Sequence, residues 1–433
     1  MSQRSHKQLP LHSLPSQENI LRQEFSNGMV VLARSNPNSG SLIVSGNLLA
    51  GGLLDPEDKL GLADFTAAGL MRGTQRRSFQ EIYDTLESLG ASLGFSAGTH
   101  LLSFSGKALV EDLDTLLTLL AEALRYPAFP GEQIERLRAQ LLTSLSIRAQ
   151  STGEMASLAF DQLVYRNHPY RRPEEGYPET VQEIRQEDLA EFHARHYGPG
   201  RMLIAIVGGL DPQLAVEKIG AAFGDWTNPL QSAPPELPPL TPLTEISTRH
   251  VDVPGKSQAD LIIGTAGPPR LSPDYMAASL GNHVLGRFGM MGRLGEALRE
   301  KAGLAYYAGS SLNSGLGPGP WEASAGVDPE NIDRAVELIL AEIRRFVNEP
   351  VSRDELADSQ ANYIGRLPIS LESNGGIASA ILSLERHQLG LDYYLRFPDL
   401  VNAVTPQQVQ EVAGRYLNPD RLAIASAGSG ERG

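Results

Sequence analysis

VQEIRQEDLAEFHARHYGPGRMLIAIVGG (residues 181–209) returns as VNAVTPQQVQEVAGRYLNPDRLAIASAGS (residues 401–429), at an offset of 220. Under that offset Ile184 meets Val404, Leu189 meets Val409 and Phe192 meets Val412, while Arg195, Pro199, Arg201 and Gly208 meet Arg415, Pro419, Arg421 and Gly428. Each copy carries apolar residues at helical spacing, then a proline-containing turn, then a short β-rich apolar run, so each predicts helix, turn and strand. A second pair lies upstream. EDLDTLLTLLAEALR, from Glu111, resembles ENIDRAVELILAEIRR, from Glu330, at an offset of 219, and both open on an Asp/Asn-rich helix start. Two matches at nearly one offset make the chain two homologous halves, a repeat of domain size rather than solenoid size.

The boundary between the halves is written in proline. Residues 229–242, PLQSAPPELPPLTP, hold six prolines. Proline fixes φ and lacks an amide donor, so this stretch is an extended linker rather than a helix or central strand. The expected organisation is a flexible tail over residues 1–18, an N-terminal half over 19–228, the linker over 229–242 and a C-terminal half over 243–433. Within the first half, FSNGMVVLARS reads as a hairpin turning at Asn27-Gly28, a pair suited to positive φ. SLIVSGNLLAGG, from Ser41, reads as a strand whose copy is DLIIGTAG, from Asp260. Helices are expected over 61–72, 78–89, 110–126 and 131–150, interrupted by the strand signal SLGFSAGTHLLSFSG. The order predicts an α+β fold in which each half is a mostly antiparallel sheet with helices packed on one face.

Bulk composition excludes several functions. The chain has 433 residues, a formal net charge of −14 and no cysteine. The negative balance argues against nucleic acid or an anionic membrane surface as partner and weakly favours cationic peptides. Without cysteine there is no thiol nucleophile, thiolate metal site or disulfide framework. The N-terminal MSQRSHKQLPLHSLPSQEN has no apolar core of a secretory signal, and no run of about 18 apolar residues spans a membrane. A cytoplasmic location is expected.

GLADFTAAGLMRGT, residues 61–74, frames an apolar helix between Gly-Leu-Ala and Arg-Gly-Thr. The frame resembles that of the pitrilysin/insulinase metallopeptidases, in particular their processing-peptidase branch, where it runs GLAHFLEHMLFKGT. There the His-x-x-Glu-His order of the inverzincins places two imidazole ligands on one helix face beside a glutamate base. Here the two ligand positions fall on Asp64 and Ala68 and the base on Ala67. The family's third ligand, a glutamate one helix later, falls on Ser144 in IERLRAQLLTSL, from Ile134. Alanine offers neither a lone pair nor a proton acceptor, so the resemblance implies a chain that binds no zinc itself. FQEIYDTLESLGASLGFSAGTHLLSFSG and NHPYRRPEEGYPETVQEI resemble further family stretches, and the likeness runs from about Arg22 to the end.

The second half holds LGRFGMMGRLGEALREKAGLAYYAGSS, residues 285–311. On its own it reads as a glycine loop, a helix capped by Gly303 and a strand. The family carries an Arg and a Tyr seven residues apart in the pattern LREKxGLAY, here Arg299 and Tyr306. The resemblance implies that Tyr306 donates to an oxyanion and Arg299 to a substrate carbonyl. Strand alternation sends the neighbouring Tyr307 to the opposite face. The implied function is that of the non-zinc subunit in a heterodimeric zinc metallopeptidase. A homologous partner with the HxxEH site would supply Zn²⁺ and the base for peptide hydrolysis. Two alternatives stay open: a non-proteolytic scaffold subunit of a respiratory complex, and a homodimeric peptide-binding protein.

Other stretches carry less. His193 and His196 stand one helical turn apart, yet no acidic third ligand accompanies them, and the repeat places Ala413 and Tyr416 there. Ser144 and Ser146 lack the G-x-S-x-G elbow of a nucleophile, and GLGPGPW at 315–321 lacks the lysine and hydroxyl of a phosphate loop.

Overall fold

The computed structural model describes residues 14–287 and 292–430. The first thirteen residues of the expected tail and residues 288–291 of the glycine loop therefore lie outside the described residues.

The strands are β1 (Leu21–Glu24), β2 (Val30–Ser35), β3 (Ser41–Leu48), β4 (Ser92–Ala97), β5 (Leu102–Leu109), β6 (Leu203–Gly208), β7 (Ser247–Asp252), β8 (Ala259–Ala266), β9 (Ala305–Leu312), β10 (Pro320–Val327) and β11 (Ala423–Gly428). They form two sheets, in the orders β1-β2-β6-β3-β5-β4 and β7-β11-β8-β10-β9. Each sheet is antiparallel except at one pair, β2 with β6 and β11 with β7. The duplication read from sequence is therefore visible strand by strand, with β3 hydrogen-bonded between β6 and β5, and β8 between β11 and β10. The fold is α+β with two homologous halves, as expected. The Asn27-Gly28 turn joins β1 to β2 as a hairpin, with Gly28 at φ 87°.

Two compact units emerge. One comprises the stretch ending at Leu142 with Pro173–Pro235 and Arg366–Phe397; the other comprises Thr143–Arg172, Glu236–Gly365 and the stretch from Pro398. Each unit thus contains one helical segment from the opposite half of the sequence. In the first unit, a half's own helices cover one sheet face; Gly106 of β5, for example, sits so close to Leu116 that an added Cβ would lie 2.9 Å from that side chain. The other face receives the helix Asn374–Arg386, whose Ile377, Ala378, Ile381 and Leu382 pack on Leu32, Ala205 and Val207. In the second unit the helix Thr152–Val164 does the same, seating Ala156, Ala159, Phe160 and Val164 on Ile262, Ala423, Ala425 and Ala427. The alanines on both sides permit close approach, and burying Phe160 alone contributes roughly 2–3 kcal/mol.

The proline-rich stretch 229–242 forms no regular hydrogen-bonded structure. Its less exposed residues recur every third position, at Gln231, Pro234, Leu237, Leu240 and Leu243, the period of a polyproline II helix. Leu240 and Leu243 lie against the cluster beneath the helix Thr152–Val164.

Candidate functional site

The residues singled out by sequence fall in both units. In the first, the helix Leu62–Gly69 begins at Gly61, whose φ of 94° suits glycine. A Cβ there would also lie 2.6 Å from the Glu175 carbonyl oxygen, so the loop carrying Glu174 and Glu175 presses against the helix start. Buried Asp55 caps that start, its carboxylate accepting from the amides of Gly61 and Ala63, each at 2.8 Å. Asp64 follows in the first turn with a half-buried carboxylate that makes no ion pair among the described residues. Burial, then the charges of Glu175 and Glu174, push its pKa from 3.8 up to about 6. Ala67 is 1% exposed and Ala68 half-buried. Ser144, exposed on the helix Gly131–Arg148, falls in the second unit, which takes up the chain at Thr143.

These residues do not fit a zinc ion. Ala67 and Ala68 have no donor atom, Ser144 has a neutral hydroxyl, and Asp64 is a lone carboxylate beside other carboxylates. Among the described residues no group of three His, Cys, Asp or Glu stands close enough to hold a metal. The two helical histidines are engaged separately. His193 Nε2 meets the Leu124 carbonyl at 2.8 Å, and His196 Nδ1 meets Ser232 Oγ at 2.6 Å.

Arg299 and Tyr306 both belong to the second unit. The segment Glu296–Lys301 is helical but wound wider than an α-helix, with the Ala302 amide reaching back to Ala297 O at 3.2 Å. Such π-turns recur at functional sites. Gly303, at φ 63°, ends the helix as its sequence suggested, its amide donating to Arg299 O at 3.1 Å. Upstream, Arg293 anchors the segment through a two-pronged ion pair with Glu355, at 2.8 and 3.0 Å. The Arg299 side chain is exposed and makes no hydrogen bond or ion pair among the described residues.

Tyr306 is the second residue of the edge strand β9, where the ladder breaks. Val327 pairs with Ala305 and Gly326 with Tyr307, so Tyr306 has no partner across the ladder. This is a β-bulge, a device that re-aims a side chain. The extra residue falls between the paired Ala305 and Tyr307. Tyr306 is 82% exposed and Tyr307 39%. Tyr306 makes no side-chain hydrogen bond among the described residues, whereas the Tyr307 hydroxyl donates to Asp260 Oδ1 at 2.6 Å. Burial first, then that bond, raises the Tyr307 pKa. Asp260 is 5% exposed, and its sequence position alone marks only the start of a strand. An acidic residue opening the apolar run DLIIGTAG was the available signal. The glycine loop at 315–321 is pinned rather than free: Tyr165 Oη donates to Pro318 O at 2.8 Å, and Gly267 N to Gly319 O at 2.7 Å.

With this geometry in view, the likenesses to known proteins become informative. Residues 30–175 match the insulinase family, peptidase family M16, and residues 183–363 match the peptidase M16 inactive domain. An uncharacterized zinc protease of Streptomyces coelicolor is 24% identical over 80% of this chain and 76% of its own length. A non-peptidase homolog from Helicobacter pylori is 24% identical, covering 85% and 82% respectively. The crystal structure of a peptidase M16 inactive domain from Pseudomonas fluorescens superposes with a TM-score of 0.88 at 26% identity, over 95% of this chain and 98% of that one.

Proposed function

The chain belongs to the insulinase family of M16 peptidases, and from that premise we propose that it is the zinc-less subunit of a heterodimeric metallopeptidase acting in the cytoplasm. Its partner is a homologous chain carrying the HxxEH site, and its substrate is an extended peptide. Asp64, Ala67, Ala68 and Ser144 occupy the positions of the lost ligands and base. Hydrolytic chemistry belongs to the partner's metal. The part of this chain is to bind and orient. Arg299, with five donors in a planar fork, holds a substrate carbonyl, and the Tyr306 hydroxyl donates to oxygen as negative charge develops on it.

The observation that carries this reading is the idleness of two polar side chains. Arg299 and Tyr306 are exposed and have no side-chain partner among the described residues, while Tyr307 beside them is committed to Asp260. A fold that needed Tyr306 for stability would not leave it 82% exposed at a break in an edge ladder. β9, AYYAGSSL, is an uncharged strand at the end of its sheet, the kind of element to which an extended peptide can add.

Reconstitution is the test. The chain alone is expected to cleave no quenched peptide, and to gain activity with a co-purifying HxxEH homologue, abolished by chelator. In that pair Arg299→Ala and Tyr306→Phe are each expected to lower turnover roughly 10- to 10³-fold. Cleavage by the pure chain, or full rates in both variants, would overturn the division of labour. The printed name of the Helicobacter pylori relative, a non-peptidase homolog, favours a second reading in which the chain binds peptides without hydrolysis. Peptide affinity that survives with no activity in any pairing would select it.

A further inference from the structure

Tyr307 reaches Asp260 across a missing side chain. In the second sheet Asp260 of β8 pairs with Gly326 of β10, and Gly326 pairs with Tyr307 of β9, so the three stand in one cross-strand row. Gly326 leaves the space: a Cβ there would lie 2.5 Å from Tyr307 Cε1. The ring crosses the bare glycine, and its hydroxyl ends on Asp260 Oδ1 at 2.6 Å. The same oxygen accepts from Gln258 Nε2 at 3.1 Å, and Oδ2 accepts from the hydroxyl of Thr152. Thr152 is the first residue of the helix Thr152–Val164. One buried carboxylate therefore ties together the bulged edge strand and a helix contributed by the other half of the sequence.

We infer that Asp260 is a positioning residue for Tyr306: by holding the Tyr307 hydroxyl it fixes the bulge from which Tyr306 projects, and through Thr152 it makes that fixation depend on the seating of the helix Thr152–Val164. The physical case is direct. A bulged residue lacks its own ladder bonds, so its backbone is held only by its neighbours. Ala305 is buried and paired on one side. On the other side the restraint is Tyr307, whose ring is threaded over Gly326 and bonded at its tip. Loss of that tip bond releases one flank of the bulge. The inference rests on the reading of Tyr306 as the substrate-facing donor.

The absence of cysteine makes a test simple, because Tyr306→Cys creates a single site for a nitroxide spin label. A control label goes on Arg334→Cys, an exposed position of the helix Ile332–Asn348. Tyr307→Phe and Gly326→Ala are each expected to narrow the spectrum at position 306, shortening its correlation time about twofold, and to leave position 334 unchanged. Asp260→Leu should do the same. Asp260→Asn should restore the wild-type line, since the amide keeps an oxygen for Tyr307 and can pair with Thr152. An unchanged line at 306 in Tyr307→Phe, or equal changes at both positions, overturns the inference. Should Asp260→Leu fail to fold, Tyr307→Phe removes a single hydroxyl and decides alone. In the reconstituted pair, Tyr307→Phe with native Tyr306 is expected to lower kcat about tenfold and leave KM nearly unchanged, as a small misplacement of a catalytic group does. A released label with undiminished kcat would leave the mechanical link standing and remove Tyr306 from the chemistry. Diminished kcat with an unmoved label would do the reverse.

Discussion

The helix Leu62–Gly69 and the segment from Arg293 to Leu312 treat their polar groups in opposite ways. In the first, the positions where the family motif places a base and a ligand hold Ala67, 1% exposed, and half-buried Ala68; they have become packing positions. In the second, packing is handled by Arg293, Leu298, Ala305 and Tyr307, while Arg299 and Tyr306 stand outside it without side-chain partners among the described residues. Under the proposed function the first set is lost chemistry and the second retained chemistry, and the two sets differ in burial: Ala67 and Ala68 are covered, whereas Arg299 and Tyr306 are exposed.

The sharpest way to break this contrast is to rebuild the motif. Ala67→Glu places a carboxylate at a helical position that is 1% exposed. It is expected to cost at least about 3 kcal/mol in urea unfolding. A loss under 1 kcal/mol would mean that the position still opens onto solvent, and the helix would then be a dormant site rather than a core element.

A second prediction concerns the anchor of the other region. Arg293 is 7% exposed and its partner Glu355 about a third exposed. Hydrogen bonding from Arg293 holds the Glu355 carboxyl at about 2, below its ordinary 4.5. A depressed pKa means the pair stabilises the fold above pH 4.5 and loses that contribution as pH falls toward 2. Arg293→Met is expected to cost about 1–3 kcal/mol at pH 7, discounted for the exposure of Glu355, and distinctly less at pH 3. A cost that does not change with pH would assign the effect to packing on Phe346, which lies 5.8 Å from the guanidinium.

Asp64 runs the other way. Its pKa is raised to about 6 by burial and by Glu175 and Glu174, so the native state resists its ionisation and the fold is weakened as pH rises from about 4 through 6. Asp64→Asn is expected to stabilise the protein by about 1–2 kcal/mol at pH 7.5 and by little at pH 4. Destabilisation at pH 7.5 would show that the carboxylate has a cationic partner in solution, and the site would then be less defunct than its neighbours suggest.

Much of this architecture was legible in the sequence because it is local or periodic. The helix-turn-strand copies at 181–209 and 401–429 correspond to the helices Gln186–His196 and Pro406–Tyr416 and to β6 and β11. The placement of the helices Thr152–Val164 and Asn374–Arg386 was not legible. Their apolar faces announce burial, but nothing in an amphipathic stripe says which sheet receives it, and Ala156 finds Ala425 across some 270 residues of chain. The bulge was hidden for a related reason. Alternation along β9 is a property of one strand, whereas the missing partner of Tyr306 is a property of two, visible only when Gly326 and Val327 are set against it. Asp260 escaped notice because its three donors come from positions 152, 258 and 307.

The smallest expected effect tests the contrast most directly. Arg299→Ala and Tyr306→Phe delete groups that are exposed and bonded to nothing among the described residues. Surface substitutions of that kind shift stability by no more than about 0.5 kcal/mol, and Tyr306→Phe also keeps the ring. Unfolding midpoints of both variants should therefore coincide with the wild type, while Tyr307→Phe, which removes one of the two donors to a buried carboxylate oxygen, costs about 1 kcal/mol. Adjacent tyrosines on one strand would then differ in stability in the order opposite to their effect on turnover. If Tyr306→Phe destabilises as much as Tyr307→Phe, the exposed tyrosine is a structural residue, and its retention no longer argues for a substrate.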